Sequence, residues 1–170
     1  YKAYELDPYA DKNPKQTVHE SLAHKYEMSI EEAKEMSEGV RTRASYVGLT
    51  YDFDGMKPTN TFDAHRVTKL ASSQGREEEM IERLLKAYFT ESEHIGDHDT
   101  LVKLASEIGL NKNDVKKVLV SKDFSDEVRY DENVARQIGV QGVPFFVFNE
   151  EYAISGAQPI DYFIEALAKL

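Results

Sequence analysis

The stretch GVQGVPFFVF at residues 139–148, followed by YAISGAQP at residues 152–159, decides the fold of this chain. Gly139 is typical of a helix end, and Pro144 stands where a strand begins, a position that tolerates a residue without a backbone N–H. The aromatic and β-branched run after Pro144 is typical of a covered strand. Pro159 suits the first turn of a last helix. The two stretches therefore predict a helix end, a tight loop, a β-hairpin and a helix start.

The chain upstream of this unit is mainly helical. Residues 1–6 alternate aromatic or small side chains with charged ones before a turn at residues 7–8, which predicts a short strand. Ser29 with Glu32 is a capping-box pattern, residues 58–61 provide a cap for a helix through Leu70, and Asn113 begins a short helix. Helical spacing predicts these apolar faces: Val18, Leu22 and Tyr26; Ile30, Ala33, Met36 and Val40; Met80, Ile81, Leu84, Leu85, Tyr88 and Phe89; Leu101, Leu104, Ala105 and Ile108; Tyr130, Val134 and Ile138; Ile160, Phe163, Ile164 and Leu167.

The composition, with 41% hydrophobic and 31% charged residues among 170, is that of a soluble globular protein. A net charge of −10 with no basic stretch argues against a nucleic-acid partner, because phosphates would be repelled. No apolar run approaches the roughly 18 residues needed to span a bilayer, and no secretory signal pattern opens the chain. We therefore expect a cytoplasmic protein that binds neither nucleic acid nor membrane.

The chain contains no cysteine, which excludes a disulfide, a thiolate metal site and a thiol nucleophile within it. It opens on Tyr1 and enters a strand-like pattern at once. We therefore expect further sequence upstream.

The strand, the helical block and the terminal β-β-α unit resemble a thioredoxin fold that carries a helical insertion. More closely, the chain resembles the DsbA-like, FrnE-type dithiol–disulfide oxidoreductases. The motifs that carry the resemblance occur in family order: YELDP at residues 4–8, NTFDAHR at 60–66, YF at 88–89, GV at 139–140, GVPFFV at 142–147 and SGAQP at 155–159. The resemblance implies an α/β fold, with a thioredoxin-like part at residues 1–14 and 124–170 and an all-helical insertion at residues 15–123.

The resemblance also implies a first strand and a first helix that are absent from this chain. In the family that helix begins with a Cys-x-x-Cys motif, where the helix N-terminus lowers the pKa of the attacking thiol. The missing strand would lie between those matching residues 1–6 and 145–148, and its absence would leave unpaired edges. We favour an upstream segment that completes the sheet. Closure of the two strands on each other, or strand exchange in a homodimer, are the alternatives.

The loop of Val143 and Pro144 is the first candidate site. The resemblance implies a cis-proline loop that faces the cysteine pair and offers backbone groups to an extended substrate. The alternative is a trans proline that only begins a strand, since most X-Pro bonds are trans.

The start of the helix after residue 60 is the second candidate. The resemblance places Asn60, Thr61 and His65 beside the cleft, and a free helix N-terminus can hold an anionic group. Capping by Asn60 or Thr61 is an equal alternative. We expect His65 to pack or to form hydrogen bonds rather than to act as a catalytic base.

The loop of Gly156, Ala157 and Gln158 is the third candidate, because it presents amides at a helix N-terminus. In related glutathione-using enzymes the equivalent loop helps to bind the tripeptide. The alternative is a simple turn that uses Gly156 for its dihedral angles.

A metal site is not predicted. His94, Asp97, His98 and Asp99 form the densest cluster of ligand types, but Gly96 and a capping aspartate indicate a loop there.

Three functions remain open. The first is a thiol–disulfide oxidoreductase or isomerase without a cofactor, acting on a protein or small-molecule disulfide or thiol, with its catalytic cysteines outside this chain. The second is a glutathione-dependent enzyme similar to the kappa-class transferases and hydroxychromene carboxylate isomerases, with glutathione as co-substrate. The third is a catalytically silent binding or dimerisation module. The sequence upstream of Tyr1 would distinguish the three.

Overall fold

The computed structural model describes residues 1–13, 15–168 and 170. These residues form a helix-rich mixed fold with a two-stranded sheet near the C-terminus. The helices are α1 (Val18–Tyr26), α2 (Ile30–Tyr46), α3 (Phe62–Ser73), α4 (Glu77–Phe89), α5 (His98–Glu107), α6 (Lys112–Val120), α7 (Ser125–Gln137) and α8 (Ile160–Leu167); the strands are β1 (Phe145–Phe148) and β2 (Tyr152–Ser155).

The first two helices pack against each other and begin with matching caps. At α2, Ser29 Oγ accepts from the Glu32 N–H while the Glu32 carboxylate accepts from the Ser29 N–H, which confirms the predicted capping box. Thr17 and Glu20 form the same box at α1. In both boxes the hydrogen bond from the backbone N–H lowers the pKa of the glutamate.

The inward face predicted for α2 is partly wrong. Ala33 is fully buried, but Ile30 and Met36 are exposed. Helix α2 packs against α1, and its buried residues are the small Ala33, Ser37 and Ala44.

The helical core, formed by α3, α4, α5 and α6, contains the best-packed part of the protein. Helix α3 is central to it, since it contacts α4, α5, α6 and also α7. The apolar faces predicted for α4 and α5 are confirmed, although Leu85 is exposed. The largest fully buried side chains are Val67, Met80, Leu101, Leu104, Val115 and Val128.

A buried arginine on α3 forms hydrogen bonds with the end of α6 and the residues that follow it. Arg66 donates to the backbone carbonyls of Val118, Ser121 (2.7 Å) and Asp123 (3.0 Å). The last carbonyls of a helix have no partner within it, so the guanidinium satisfies them from outside. Asp63 Oδ1, 2.9 Å from Arg66 Nη1, balances the charge.

Residues 1–6 form no strand among the described residues, so the strand predicted there is wrong. A strand needs a neighbour to share backbone hydrogen bonds, and the sheet that is described contains only β1 and β2. The segment binds α7 and the following loop instead. The Ala3 N–H donates to Asp131 Oδ2 (2.9 Å), and the Tyr4 hydroxyl donates to the Val140 carbonyl (3.3 Å).

The buried face of helix α7 differs from the predicted one. Val128, Asp131 and Glu132 are buried, whereas Tyr130 and Ile138 are exposed. The buried face of α7 packs on α3, and it binds the N-terminal segment through polar side chains such as Asp131. Helical spacing of apolar residues could not predict this face, because polar residues form part of it.

The C-terminal unit, formed by β1, β2 and α8, contains the predicted hairpin. The strands are antiparallel, with Phe145 opposite Ser155 and Phe148 opposite Tyr152. Pro159 is the N-cap of α8 rather than its first helical residue.

The apolar face predicted to be buried on α8 is open. Ile160, Ile164 and Leu167 are exposed, while Phe163 is half-buried and packs edge-on against Phe146 at 5.0 Å between ring centroids. The expectation of burial is therefore wrong for the described residues, because no neighbouring element among them lies over this face.

Two local boundaries also bear on the predictions. Helix α6 begins at Lys112, with Asn111 as its cap, one residue before the predicted start. The domain boundaries at residues 14 and 123 remain predictions, and Pro14 lies outside the described residues. No helix in the described part of the chain is long and apolar enough to cross a membrane.

Candidate functional site

The loop between α7 and β1 brings Val143 and Pro144 beside Gly156. Gly139 ends α7 with φ +78°, a left-handed conformation that favours glycine, and the Val143–Pro144 peptide bond is cis. The Gly156 N–H donates to the Pro144 carbonyl at 2.8 Å, which joins this loop to the one before α8. Val143 is half exposed, and its backbone groups make no hydrogen bond within the described residues.

The loop before α8 has mostly internal contacts. Gly156 has φ +80°, so its conformation requires glycine there. The Gln158 side chain donates to the Ser155 carbonyl at 2.9 Å. Gly156 thus provides the left-handed conformation of the turn, and the Gln158 side chain forms a hydrogen bond within it. Ala157 is exposed to solvent.

Asn60 is held at the start of α3 by its own hydrogen bonds. Its Nδ2 donates to Glu5 Oε1 (2.9 Å) and to the Pro8 carbonyl (3.4 Å), and its Oδ1 accepts from the Phe62 N–H (3.0 Å). Thr61, at the N-cap position itself, makes no side-chain capping bond. Of the two predicted caps, Asn60 provides the hydrogen bond, and its amide is thereby occupied.

His65 lies half-buried on the next turn of α3. Burial is the largest influence and lowers its pKa, while the nearby Glu132 carboxylate and the Tyr4 backbone oppose that shift. A lowered pKa favours the neutral imidazole at neutral pH.

Sequence reasoning missed a cluster of charged side chains next to Asn60. Arg129 Nη1 lies 2.6 Å from Glu5 Oε2 and 2.6 Å from Glu132 Oε2, and the guanidinium stacks over the Phe62 ring at 4.1 Å. Alternation along residues 3–5 places Glu5 on the same side as Ala3 and was a usable signal. The partner Arg129 could not be found this way, since it is 124 residues away.

One chain of contacts links these candidates. Glu5 touches the start of α3 through Asn60, and its neighbour Tyr4 holds the Val140 carbonyl in the loop that leads to Pro144. The described residues therefore supply backbone groups at Val143 that have no partner among them, and a separate network of polar side chains at the start of α3. They supply no thiol, because the chain has no cysteine.

The two histidines of the possible metal cluster bind different partners. His98 Nε2 lies 2.9 Å from Asp63 Oδ2, and His94 Nε2 lies 2.9 Å from the Lys12 carbonyl. Among the described residues no group of three or more histidine, cysteine or carboxylate side chains is placed to hold a metal ion.

Comparison with known proteins yields a family and a structural neighbour. The model of the DSBA-like thioredoxin domain matches residues 1–168. A solved structure, that of a probable DsbA oxidoreductase from Streptomyces coelicolor, matches with a TM-score of 0.93 and 37% identity, covering 99% of this chain and 73% of that one. The uncharacterized protein YwbO of Bacillus subtilis (strain 168) is 28% identical over 131 residues, 76% of this chain.

The chain spans 65% of the length of the Bacillus relative. The family model nevertheless matches nearly every residue of it, and the neighbouring structure has the same overall course. The resemblance to the DsbA-like family, and the thioredoxin-like fold with a helical insertion that it implies, are confirmed. The chain belongs to the DSBA-like thioredoxin domain family.

Proposed function

We propose that the protein containing this chain is a thiol–disulfide oxidoreductase or isomerase of the FrnE type. The observation that carries the proposal is the TM-score of 0.93 to a structure titled a probable DsbA oxidoreductase, at 37% identity over 99% of this chain. The family match supports thiol or disulfide compounds as substrates. A homodimer and a cytoplasmic location remain predictions.

The chemistry requires two cysteines, and this chain contains none, so the proposal requires them to be supplied by residues outside it. A thiolate attacks a substrate disulfide, a mixed disulfide forms as the other substrate sulfur leaves as a thiolate, and the second cysteine then displaces the substrate. The enzyme is oxidised and the substrate is reduced, and the reverse sequence oxidises a dithiol. The role of the described residues is to position the substrate.

Val143 is the residue best suited to this positioning. Its side chain is half exposed, and no described residue bonds its backbone groups. An extended peptide can pair with such a free edge through main-chain hydrogen bonds. The fixed Pro144 carbonyl, bonded to Gly156, keeps the edge in place behind the substrate.

The glutathione-dependent alternative draws less support from the contacts. It relies on Asn60, Val143 and the Gly156 loop, and the Asn60 amide is already bonded to Glu5, Pro8 and Phe62. No specific observation favours glutathione over a protein disulfide.

The test is disulfide reduction by the full-length protein, measured as the rate at which a protein disulfide is reduced in the presence of dithiothreitol. We expect turnover, and we expect Val143→Glu to lower kcat/KM about tenfold, or roughly 1.4 kcal/mol, because a longer charged side chain beside the free backbone groups hinders an extended substrate from pairing with them. The matched control is Val47→Glu, since Val47 is also an exposed valine but lies at the end of α2. No turnover by the full-length protein overturns the function. Equal rates for the two variants overturn the role of Val143.

A further inference from the structure

Two glutamates from distant parts of the chain meet on one guanidinium. Glu5 Oε2 and Glu132 Oε2 each lie 2.6 Å from Arg129 Nη1, so they are separated by at most twice that distance. The exposed fractions of their side chains are 1% and 11%. Two carboxylates so close and so little hydrated repel each other if both are ionised.

One carboxylate oxygen of the pair lacks a hydrogen-bond donor in the part of the chain that the structure describes. Glu5 accepts from Asn60 and Arg129, which occupies both of its oxygens. Glu132 Oε1 is buried and has no hydrogen-bond partner within the described residues. A buried acceptor without a donor, beside an excess buried negative charge, is costly.

We propose that Glu5 and Glu132 share one proton in the folded protein, and that with Arg129 they form a neutral clamp between the N-terminal segment and α7. The proton supplies the donor that the two carboxylates lack, and it leaves one negative charge to balance one guanidinium. The inference rests on these contacts and is independent of the proposed activity.

The neighbouring groups among the described residues provide no second positive charge to balance two ionised glutamates. His65, on α3, is favoured in its neutral form because burial lowers its pKa. Lys69, also on α3, forms its ion pair with Asp131, which in turn holds the Ala3 N–H. Lys2 lies 3.4 Å from the other oxygen of Asp131. These cations are thus engaged by Asp131, and Arg129 is the cation bonded to the pair.

The clamp weakens as pH rises. Burial, the largest influence, raises the pKa of Glu5 above its ordinary value of 4.5, and Arg129 opposes that rise. A pKa raised by folding means that the stabilisation is fully present below the unfolded value and is lost as pH rises through the folded value. Tyr4, next to Glu5 in the chain, donates to the Val140 carbonyl, so the clamp adjoins a segment that contacts the loop leading to Pro144.

The test uses the full-length protein labelled with ¹³C at glutamate Cδ. In the wild type we expect the Glu5 signal to titrate above the ordinary value of glutamate, because burial raises its pKa. In Glu132→Gln we expect the titration of Glu5 to move to lower pH, because the like charge is gone. We also expect the free energy of unfolding of this variant to lose the decline with pH that the wild type shows over that interval.

The matched control is Glu79→Gln. Glu79 pairs with Arg76 at the same spacing as Glu132 with Arg129, but it is exposed, so both readouts should stay as in the wild type. If Glu5 finishes titrating in the ordinary range of glutamate in the wild type, or if it titrates alike in the wild type and in Glu132→Gln, the proposal is wrong. Should Glu132→Gln fail to fold, the wild-type titration decides alone.

Discussion

The helical core and the C-terminal unit carry similar apolar side chains but bury them to very different extents. Leu101 and Leu104 on α5 are completely buried, whereas Leu167 on α8 is half exposed. On the hairpin Ile154 is buried, but α8 contains no buried residue.

The difference lies in the neighbours and not in the composition of the helices. Helix α3 contacts α4, α5, α6 and α7, so each of them has a surface to cover its apolar face. In the described residues β1 pairs with β2, and α8 meets the hairpin through Phe146 and Phe163. An amphipathic pattern indicates which face needs a cover, but it does not identify the cover.

Truncating one leucine in each region gives the largest expected contrast. Leu104→Ala should lower the free energy of unfolding by about 2–5 kcal/mol, because it leaves a cavity in the helical core. Leu167→Ala should change it by about 0.5 kcal/mol or less, as for an exposed site. Urea unfolding followed by circular dichroism measures both. Equal losses would break the comparison and show that α8 is covered in solution by something beyond the described residues.

Acid should weaken the helical core through Asp63. Burial by itself raises the pKa of this carboxyl, but the hydrogen bonds from Lys12, His98 and Arg66 outweigh it and lower the pKa to about 2. A pKa lowered by folding from 3.8 gives stability that is present above pH 4 and lost as pH falls toward 2, worth about 2 kcal/mol.

Unfolding free energies of the wild type and of Asp63→Asn between pH 5 and pH 2 test this contribution. The variant should lose less stability than the wild type over this range, by about 2 kcal/mol. Asp114→Asn, an exposed change in the first turn of α6, should follow the wild type. Parallel curves for all three proteins would contradict the role of Asp63.

Local signals in the sequence were sufficient for the helices and for the hairpin. The Ser29–Glu32 box and the apolar rows on α4 and α5 depend on residues within one or two turns, and the structure contains them except for the exposed Leu85. The prediction for residues 1–6 failed because a strand depends on a partner at a distance. The apolar face predicted for α7 was wrong for a related reason, since the buried Asp131 binds Ala3, which is 128 positions away in the sequence.

The sequence was sufficient to name the candidate residues that belong to local motifs. It was not sufficient to find the hydrogen-bond network formed by residues distant in the sequence. Val143, Pro144 and Gly156 could be named from the sequence, and the structure places them together. Asn60 was named with two roles, and its hydrogen bonds favour the cap. Glu5 was named within the YELDP motif but not as a site residue, and its partner Arg129, 124 positions away, could not be found from the sequence.

The smallest expected effect tests the contact between the hairpin and α8. Phe146 and Phe163 meet edge to face at 5.0 Å, and the pair Tyr51 and Phe89 stacks at 4.8 Å beside α4 as a matched control. Double-mutant cycles to leucine should give a coupling of about 0.5–1.5 kcal/mol for each pair. A coupling near zero for Phe146 and Phe163, but not for Tyr51 and Phe89, would mean that the C-terminal unit does not unfold together with the helical core. The two regions would then differ in cooperativity as well as in burial. Similar couplings would instead show that the hairpin and α8 form one cooperative unit with the rest of the chain, despite the open face of α8.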